Sequence, residues 1–267
     1  MPAKTITITN QKGGVGKTTT AINLSAALAL EGENILLVDL DPQAHSTLGL
    51  GIEKATVKQS VYNAILDETK TEEIIVKITD NFYLLPSNIQ LAGAEVELVT
   101  MLDRENRLKR ALKNLKDTYS FIFIDCPPTL GLLTINGLVA ADSVLIPIQC
   151  EYYALEGIAR LLDTINLVKK HINPNLEIEG IILTMYTSNT NLSQQVAEDV
   201  RNYFKDKVYE TIIPRSIRLA EAPSFGKTIF QYDRNSRGAI AYRELAQEFL
   251  LKQGKISNQL KSNNQLF

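Results

Sequence analysis

Gln11-Lys12-Gly13-Gly14-Val15-Gly16-Lys17-Thr18-Thr19 follows directly on the apolar, β-like run Lys4-Thr5-Ile6-Thr7-Ile8-Thr9, and this junction decides the fold. A Gly-rich turn that opens a helix points several backbone N–H groups at one spot, where the positive end of the helix dipole also lies. In such a phosphate-binding loop Lys17 supplies charge to the β- and γ-phosphates of a nucleotide, and the Thr18 hydroxyl is placed to hold Mg²⁺. The stretch after it, TTTAINLSAALALEG, is helix-compatible. The loop is therefore expected to join a strand to a helix rather than to be a loose surface turn. The common spelling G-x-x-x-x-G-K-[ST] asks for glycine at position 11, where this chain has Gln11. The loop reads K-G-G-V-G-K-T instead, with a second lysine, Lys12, at its mouth, facing away from the dipole of its own helix.

Away from the loop, short β-rich runs alternate with helical stretches, the pattern of a mainly parallel sheet covered on both faces. Candidate strands are Thr5-Thr9, Ile35-Asp39, Phe82-Pro86, Phe121-Asp125, Ser143-Pro147, Ile178-Thr184 and Val208-Ile213. Gly32 is placed to stop the first helix. Asn88-Lys116 reads as a long charged helical stretch with a break near Asp103, and further helices are expected at Leu155-Lys170, Leu192-Phe204 and Ala239-Gln253. The fold class that follows is α/β, a doubly wound, mostly parallel twisted sheet of the P-loop NTPase kind. No Gly/Ser- or Pro-rich linker divides the chain, so residues 1-253 are expected to form one domain, followed by a polar tail at 254-267 that frays.

Composition excludes several classes. The 267 residues are 45% hydrophobic, enough for a substantial core, and the net charge of −2 gives no global nucleic-acid signature. No apolar run is long enough to span a bilayer, and the start MPAKTITITN lacks the layout of a signal peptide, so a cytoplasmic protein is expected. The first strand begins almost at residue 1, so no helix-turn-helix domain is expected ahead of it. Cys126 and Cys150 form no CxxC pair and read as small buried thiols.

Three acids stand at or just beyond the carboxyl ends of candidate strands, where ligands bind in doubly wound sheets. Asp125 ends Phe121-Ile122-Phe123-Ile124-Asp125, four apolar residues and an acid, as in a Walker B strand that holds Mg²⁺. Asp39 and Asp41 lie in Leu36-Leu37-Val38-Asp39-Leu40-Asp41-Pro42-Gln43. A straight strand would put both on one face. Pro42 cannot continue a central strand, so Asp41 is expected on the loop that faces the nucleotide.

K-G-G-V-G-K-T is the deviant Walker A spelling, and with it the chain resembles the ParA/MinD group of P-loop ATPases, within it the small Soj-like partition proteins. The resemblance extends to about Gln253. It implies ATP and Mg²⁺ as cofactors, with Lys12, Gly13, Gly14, Val15, Gly16, Lys17, Thr18 and Thr19 around the phosphates. In the family the extra lysine reaches the nucleotide of a partner, so Lys12 implies an ATP-dependent sandwich homodimer. By the same resemblance Lys12, Lys17 and Asp41 are the catalytic set, with Asp41 orienting the attacking water. Thr18, Asp39 and Asp125 belong to the Mg²⁺ shell. Ile213-Pro214-Arg215 and Glu221-Ala222-Pro223-Ser224-Phe225-Gly226-Lys227 resemble the partition family's IPR and EAPS-x-GK segments, with Pro214 and Met185 as base-pocket candidates. Gln149-Cys150-Glu151-Tyr152-Tyr153-Ala154-Leu155-Glu156-Gly157 matches a family stretch near the dimer interface.

The implied function is a nucleotide switch in chromosome or plasmid partition, located in the cytoplasm on the nucleoid, with hydrolysis stimulated by a ParB-like (Spo0J-like) partner. Non-specific double-stranded DNA is the implied output. From Arg201 to Arg243 nine basic residues stand against four acidic ones, a patch suited to phosphates. Arg218 and Lys227 are the named candidates. Many Soj-like proteins carry an arginine in an R-T-N-L segment, where this chain reads Asn189-Thr190-Asn191-Leu192. Two alternatives are weighed against this. A MinD-like membrane cycle needs a C-terminal amphipathic helix, and Lys255-Phe267 offers only scattered apolar residues, so no membrane partner is expected. A metabolic P-loop ligase would need a substrate pocket in place of partner-facing loops.

Overall fold

The computed structural model describes residues 2–152 and 156–256. The expectation of a frayed tail concerns residues outside this description from 257 on, and so does the 153–155 part of the Gln149-Gly157 stretch. Seven strands form one sheet in the order β3-β4-β2-β5-β1-β6-β7. They are β1 (Lys4–Ile8), β2 (Ile35–Asp39), β3 (Val76–Thr79), β4 (Phe82–Leu85), β5 (Phe121–Asp125), β6 (Ser143–Gln149) and β7 (Glu177–Thr184). All pairings are parallel except that of β3 with β4.

The central strands are apolar on both sides because both sides are covered. Along β2, Ile35 and Leu37 enter one core cluster while Leu36 and Val38 enter another. β5 alternates the same way, with Phe121 and Phe123 on the first face and Ile122 and Ile124 on the second. On the first face lies α1 (Lys17–Leu30), with the short α2 (His45–Gly49) against it through Gly49 and Ile22, and on the second lie α3 (Val61–Ile65), α4 (Thr71–Ile74), α5 (Leu91–Thr100), α6 (Arg107–Ala111) and α7 (Leu132–Ala140). The chain continues through α8 (Glu156–His171), α9 (Asn191–Phe204), α10 (Ile217–Glu221), α11 (Ile229–Tyr232) and α12 (Arg237–Lys252). α12 returns to the first face beside α1, where Phe249 meets Phe121 edge-on at 5.1 Å. Among the described residues no helix is long and apolar enough to cross a membrane.

Most expected elements are present within a residue or two. The helical stretch at 88–116 is broken as expected, with Asp103 in the left-handed region at φ 56° between α5 and α6. Gly32, at φ 90°, closes the turn after α1.

Two expectations need correction. Val208-Ile213 is not a strand. Tyr209 N donates to Ile181 O and Ile213 N to Leu183 O, so the segment advances from 209 to 213 while β7 advances only from 181 to 183. Its middle bulges away because the Glu248 carboxylate of α12 accepts from Glu210 N at 2.8 Å and Thr211 N at 2.9 Å. The seventh strand is β3, a short edge strand with mostly exposed residues, whose polar pattern VKIT gives no apolar alternation to read.

Candidate nucleotide and magnesium site

The glycine-rich loop leaves the carboxyl end of β1 under firm constraint. Asn10 donates to Pro147 O at 2.7 Å and accepts from Lys12 N at 3.0 Å, tying the loop's start to β6. Thr184, the last residue of β7, donates to Val15 O at 2.8 Å. Between these anchors Gly14 (φ 75°) and Gly16 (φ 89°) take left-handed conformations that a side chain would strain. Gly16 is the N-cap of α1. The two lysines then part company. Lys17 is buried and its amine donates to Lys12 O at 3.1 Å, whereas Lys12 is exposed. Among the described residues the Lys12 amine makes no ion pair or hydrogen bond.

The loop floors a cavity of about 590 Å³ that Gly13, Thr18, Asp41, Pro128, Met185 and Ser224 help to line. A smaller slot of about 170 Å³ adjoins it and shares Gly16, Thr19 and Met185. Pro214 and Tyr242 line the slot. Met185 is held at φ 51°, and Tyr186 N donates to Ile213 O at 3.1 Å while Arg215 N donates back to Tyr186 O at 3.0 Å. These bonds bring the two base-pocket candidates, far apart in sequence, to the same slot.

The chain is 59% identical over 246 residues to the sporulation initiation inhibitor protein Soj of Bacillus subtilis, covering 92% of this chain and 97% of that protein. It belongs to the Soj/ParA family of P-loop ATPases. An AAA domain family matches residues 3–178. The chromosome partitioning protein ParA of Myxococcus xanthus is 53% identical, over 92% of this chain and 87% of that one. Among solved structures, cobyrinic acid a,c-diamide synthase from Mycobacterium smegmatis, determined with ADP and magnesium and with an ATP analogue and magnesium, superposes with a TM-score of 0.84. Its identity is 39%, and the match covers 94% of this chain and 96% of that one.

In this Soj/ParA chain the acids converge on the loop. Asp39 and Asp125 are register partners across β2 and β5. Asp39 Oδ2 accepts from Thr47 N and Thr47 Oγ1, both at 2.7 Å, and Oδ1 accepts from Asp41 N at 3.3 Å. Its oxygens thus order the loop that carries Asp41. Asp125 Oδ2 accepts from Ser46 Oγ at 2.8 Å, while Oδ1 is buried without a partner among the described residues. Asp41 follows β2 on a loop, as Pro42 requires. Its Oδ1 accepts from Gln43 N at 2.8 Å and its carbonyl from Ser87 Oγ at 2.8 Å.

The electrostatics follow from burial. Desolvation and then the neighbouring Asp125 push the Asp39 carboxyl up to about 8. Desolvation likewise raises Asp125 to about 6, against the opposing hydrogen bond of Ser46. Burial lowers the Lys17 amine, and Asp125 and Asp41 counter that shift. Two buried acids, Asp125 and Asp41, act on the buried Lys17 ammonium, and one Asp125 oxygen has no hydrogen-bond partner among the described residues. This donor set fits a hard divalent cation at Thr18 and Asp125.

Ser46, Thr47, Ser87, Asn10 and Thr184 were not among the residues read from sequence, although Ser46-Thr47 stand directly after the Asp-Pro-Gln-Ala-His run. The two DNA candidates lie outside the cavity. Arg218 pairs with Glu221 at 3.1 Å and with Asp233 at 3.6 Å and lies over the Tyr232 ring. Lys227 is exposed, and its amine has no ion pair among the described residues.

Proposed function

We propose that this chain is a Mg²⁺-dependent ATPase switch of chromosome or plasmid partition, cytoplasmic and nucleoid-associated, built as one unit over residues 1–253. The observation that carries it is the split between the loop's lysines: Lys17 is turned inward under the loop, and Lys12 stands exposed at its mouth, unpaired among the described residues. A monomer has no use for that outward charge. A second copy docked face to face would bring a nucleotide to it, so ATP favours the dimer and loss of the γ-phosphate removes the bias.

Within each protomer the loop amides and Lys17 bind the phosphates, and Met185 and Pro214 enclose the base. Thr18 and Asp125 hold Mg²⁺, which when bound neutralises phosphate charge. Asp39 acts from behind, fixing Thr47 and the loop that presents Asp41, and Asp41 orients the attacking water. The dimer binds double-stranded DNA without sequence preference, and a ParB-like partner stimulates hydrolysis.

A metabolic ligase is the second reading, favoured by the name of the M. smegmatis structures. The higher identity to the partition proteins weighs against it. A DNA mobility shift with ADP, ATP and a slowly hydrolysed analogue tests the choice, with Asp41→Ala as a control. Retention of DNA with ATP or the analogue, and not with ADP, is expected. Equal mobility in all three states would remove the partition reading.

A further inference from the structure

Two glycines outside the phosphate loop touch backbone to backbone. A Cβ built on Gly226 would lie 2.5 Å from Gly51 Cα, and one on Gly51 would lie 3.1 Å from Gly226 O. Both residues are left-handed, Gly51 at φ 81° and Gly226 at φ 62°. Neither position can carry a side chain without separating the two strands of chain.

What they join gives the contact its meaning. Gly51 ends the turn after α2, and Ile52 N donates to Thr47 O at 3.1 Å. The start of α2 carries Ser46 and Thr47, which hold Asp125 and Asp39. A displacement at the acids therefore reaches Gly51 through one short helix. Gly226 closes the turn Ala222–Phe225, whose Pro223 and Ser224 line the phosphate cavity. The outer side of the same turn is Phe225, 61% exposed and stacked on Tyr232 at 5.2 Å, followed by Lys227. One turn thus has its inner side at the phosphates and its outer side on the surface.

We infer that Gly51 and Gly226 are positioning residues: their contact passes the state of the nucleotide cavity from α2 to the Ala222–Lys227 turn and so sets the orientation of Phe225 and Lys227. This rests on reading the cavity as the ATP site. Nucleotide and surface ligand are then coupled through the contact, and coupling of this kind changes affinity reciprocally by about 5- to 150-fold.

The chain contains no tryptophan, so Phe225→Trp places a single reporter on the turn. Magnesium with a non-hydrolysable ATP analogue is titrated into this variant and into Phe225→Trp/Gly226→Ala, with emission and calorimetry read in parallel. The expected result is an emission shift that saturates with the calorimetric Kd in the first variant. In the second it vanishes, while the Kd stays within about threefold, well below a coupling-sized change. A shift that persists in the second variant overturns the inference, as does the lack of any shift in the first despite calorimetric binding. Absence of calorimetric binding in the first variant instead overturns the ATP-site reading and the inference with it. Hydrogen exchange on the unmodified chain covers the case in which Gly226→Ala does not fold. Slowing at 47–51 together with 222–227 supports the contact, and slowing at 47–51 alone overturns it.

Discussion

The buried amine of Lys17 donates to the backbone carbonyl of Lys12 at 3.1 Å, so the two lysines of the loop are held as one unit. The bond directs Lys17 under the loop and fixes the peptide from which the Lys12 side chain departs. It also gives a desolvated ammonium a partner in the absence of phosphate, which a buried charge requires.

Lys17→Ala and Lys12→Ala should therefore fail differently. Loss of the buried charge removes charge-assisted hydrogen bonds to phosphate, about 3 kcal/mol or roughly 100-fold in Kd for ATP. Lys12→Ala should bind ATP nearly as the parent does yet stay monomeric in multi-angle light scattering. Calorimetry on both variants checks the split, and full ATP affinity in Lys17→Ala would mean that the loop is not the phosphate site.

Asp41→Ala should bind Mg·ATP and accumulate as a dimer. Its carboxylate lines the cavity, and its carbonyl is held independently by Ser87, so removal of the side chain leaves the loop anchored. Loss of water orientation should slow hydrolysis by about 100-fold or more. A light-scattering mass that stays monomeric with ATP would count against this role.

Stability of the nucleotide-free chain should depend on pH through Asp39. Its folded carboxyl is raised to about 8 from an ordinary 3.8, so between those values the folded state holds a proton that the unfolded state has released. The stabilising contribution is complete below the lower value and is lost as pH rises toward the upper one, by at most about 1.4 kcal/mol per pH unit. The parent should lose more Tm between pH 5.5 and pH 8 than Asp39→Asn does. Parallel Tm curves for the two proteins would show that burial does not raise Asp39.

The loop, the three acids and the sheet's central strands were legible because each is written locally. Gly14 and Gly16 announce left-handed turns, and Phe121–Asp125 announces a strand that ends in an acid. What could not be read is held by distant partners. Ser46 and Thr47 are ordinary small polar residues until β2 and β5 bring Asp39 and Asp125 beside them. The apolar run at 208–213 has the composition of a strand, and only Glu248, far along the chain, shows why it bulges. β3 was hidden for the opposite reason, since an exposed edge strand carries no buried pattern.

The same distinction bears on DNA. Arg218 and Lys227 were equal candidates in the sequence, but Arg218 is engaged by Glu221 and Asp233 whereas Lys227 has no ion pair among the described residues. Charge reversal at both should weaken DNA binding and spare dimerisation. Taken singly, Lys227→Glu should have the larger effect and lower the log–log salt slope by about 1. Filter binding across a salt series decides it, and unchanged retention in the double variant would place the DNA surface elsewhere.

Glu248 offers a test of the bulge itself. Its side chain is 9% exposed, and its two oxygens accept from Glu210 N and Thr211 N. Lys252 Nζ approaches one oxygen at 3.8 Å and lies 4.0 Å from the Tyr209 ring centroid. Glu248→Ala leaves two backbone donors unpaired and an ammonium without its acid. The cost should be about 3 kcal/mol, a fall in Tm on the order of 5–10 °C for a chain of this size. Urea unfolding should show it as a lower midpoint with an unchanged slope. Because the released segment runs on to Pro214, which lines the slot proposed for the base, ATP affinity should drop as well, while Glu248→Gln, which keeps one acceptor, should fall between parent and alanine in both measurements. A stability loss well under 1 kcal/mol would mean that the bulge is held by its bonds to β7 and not by α12.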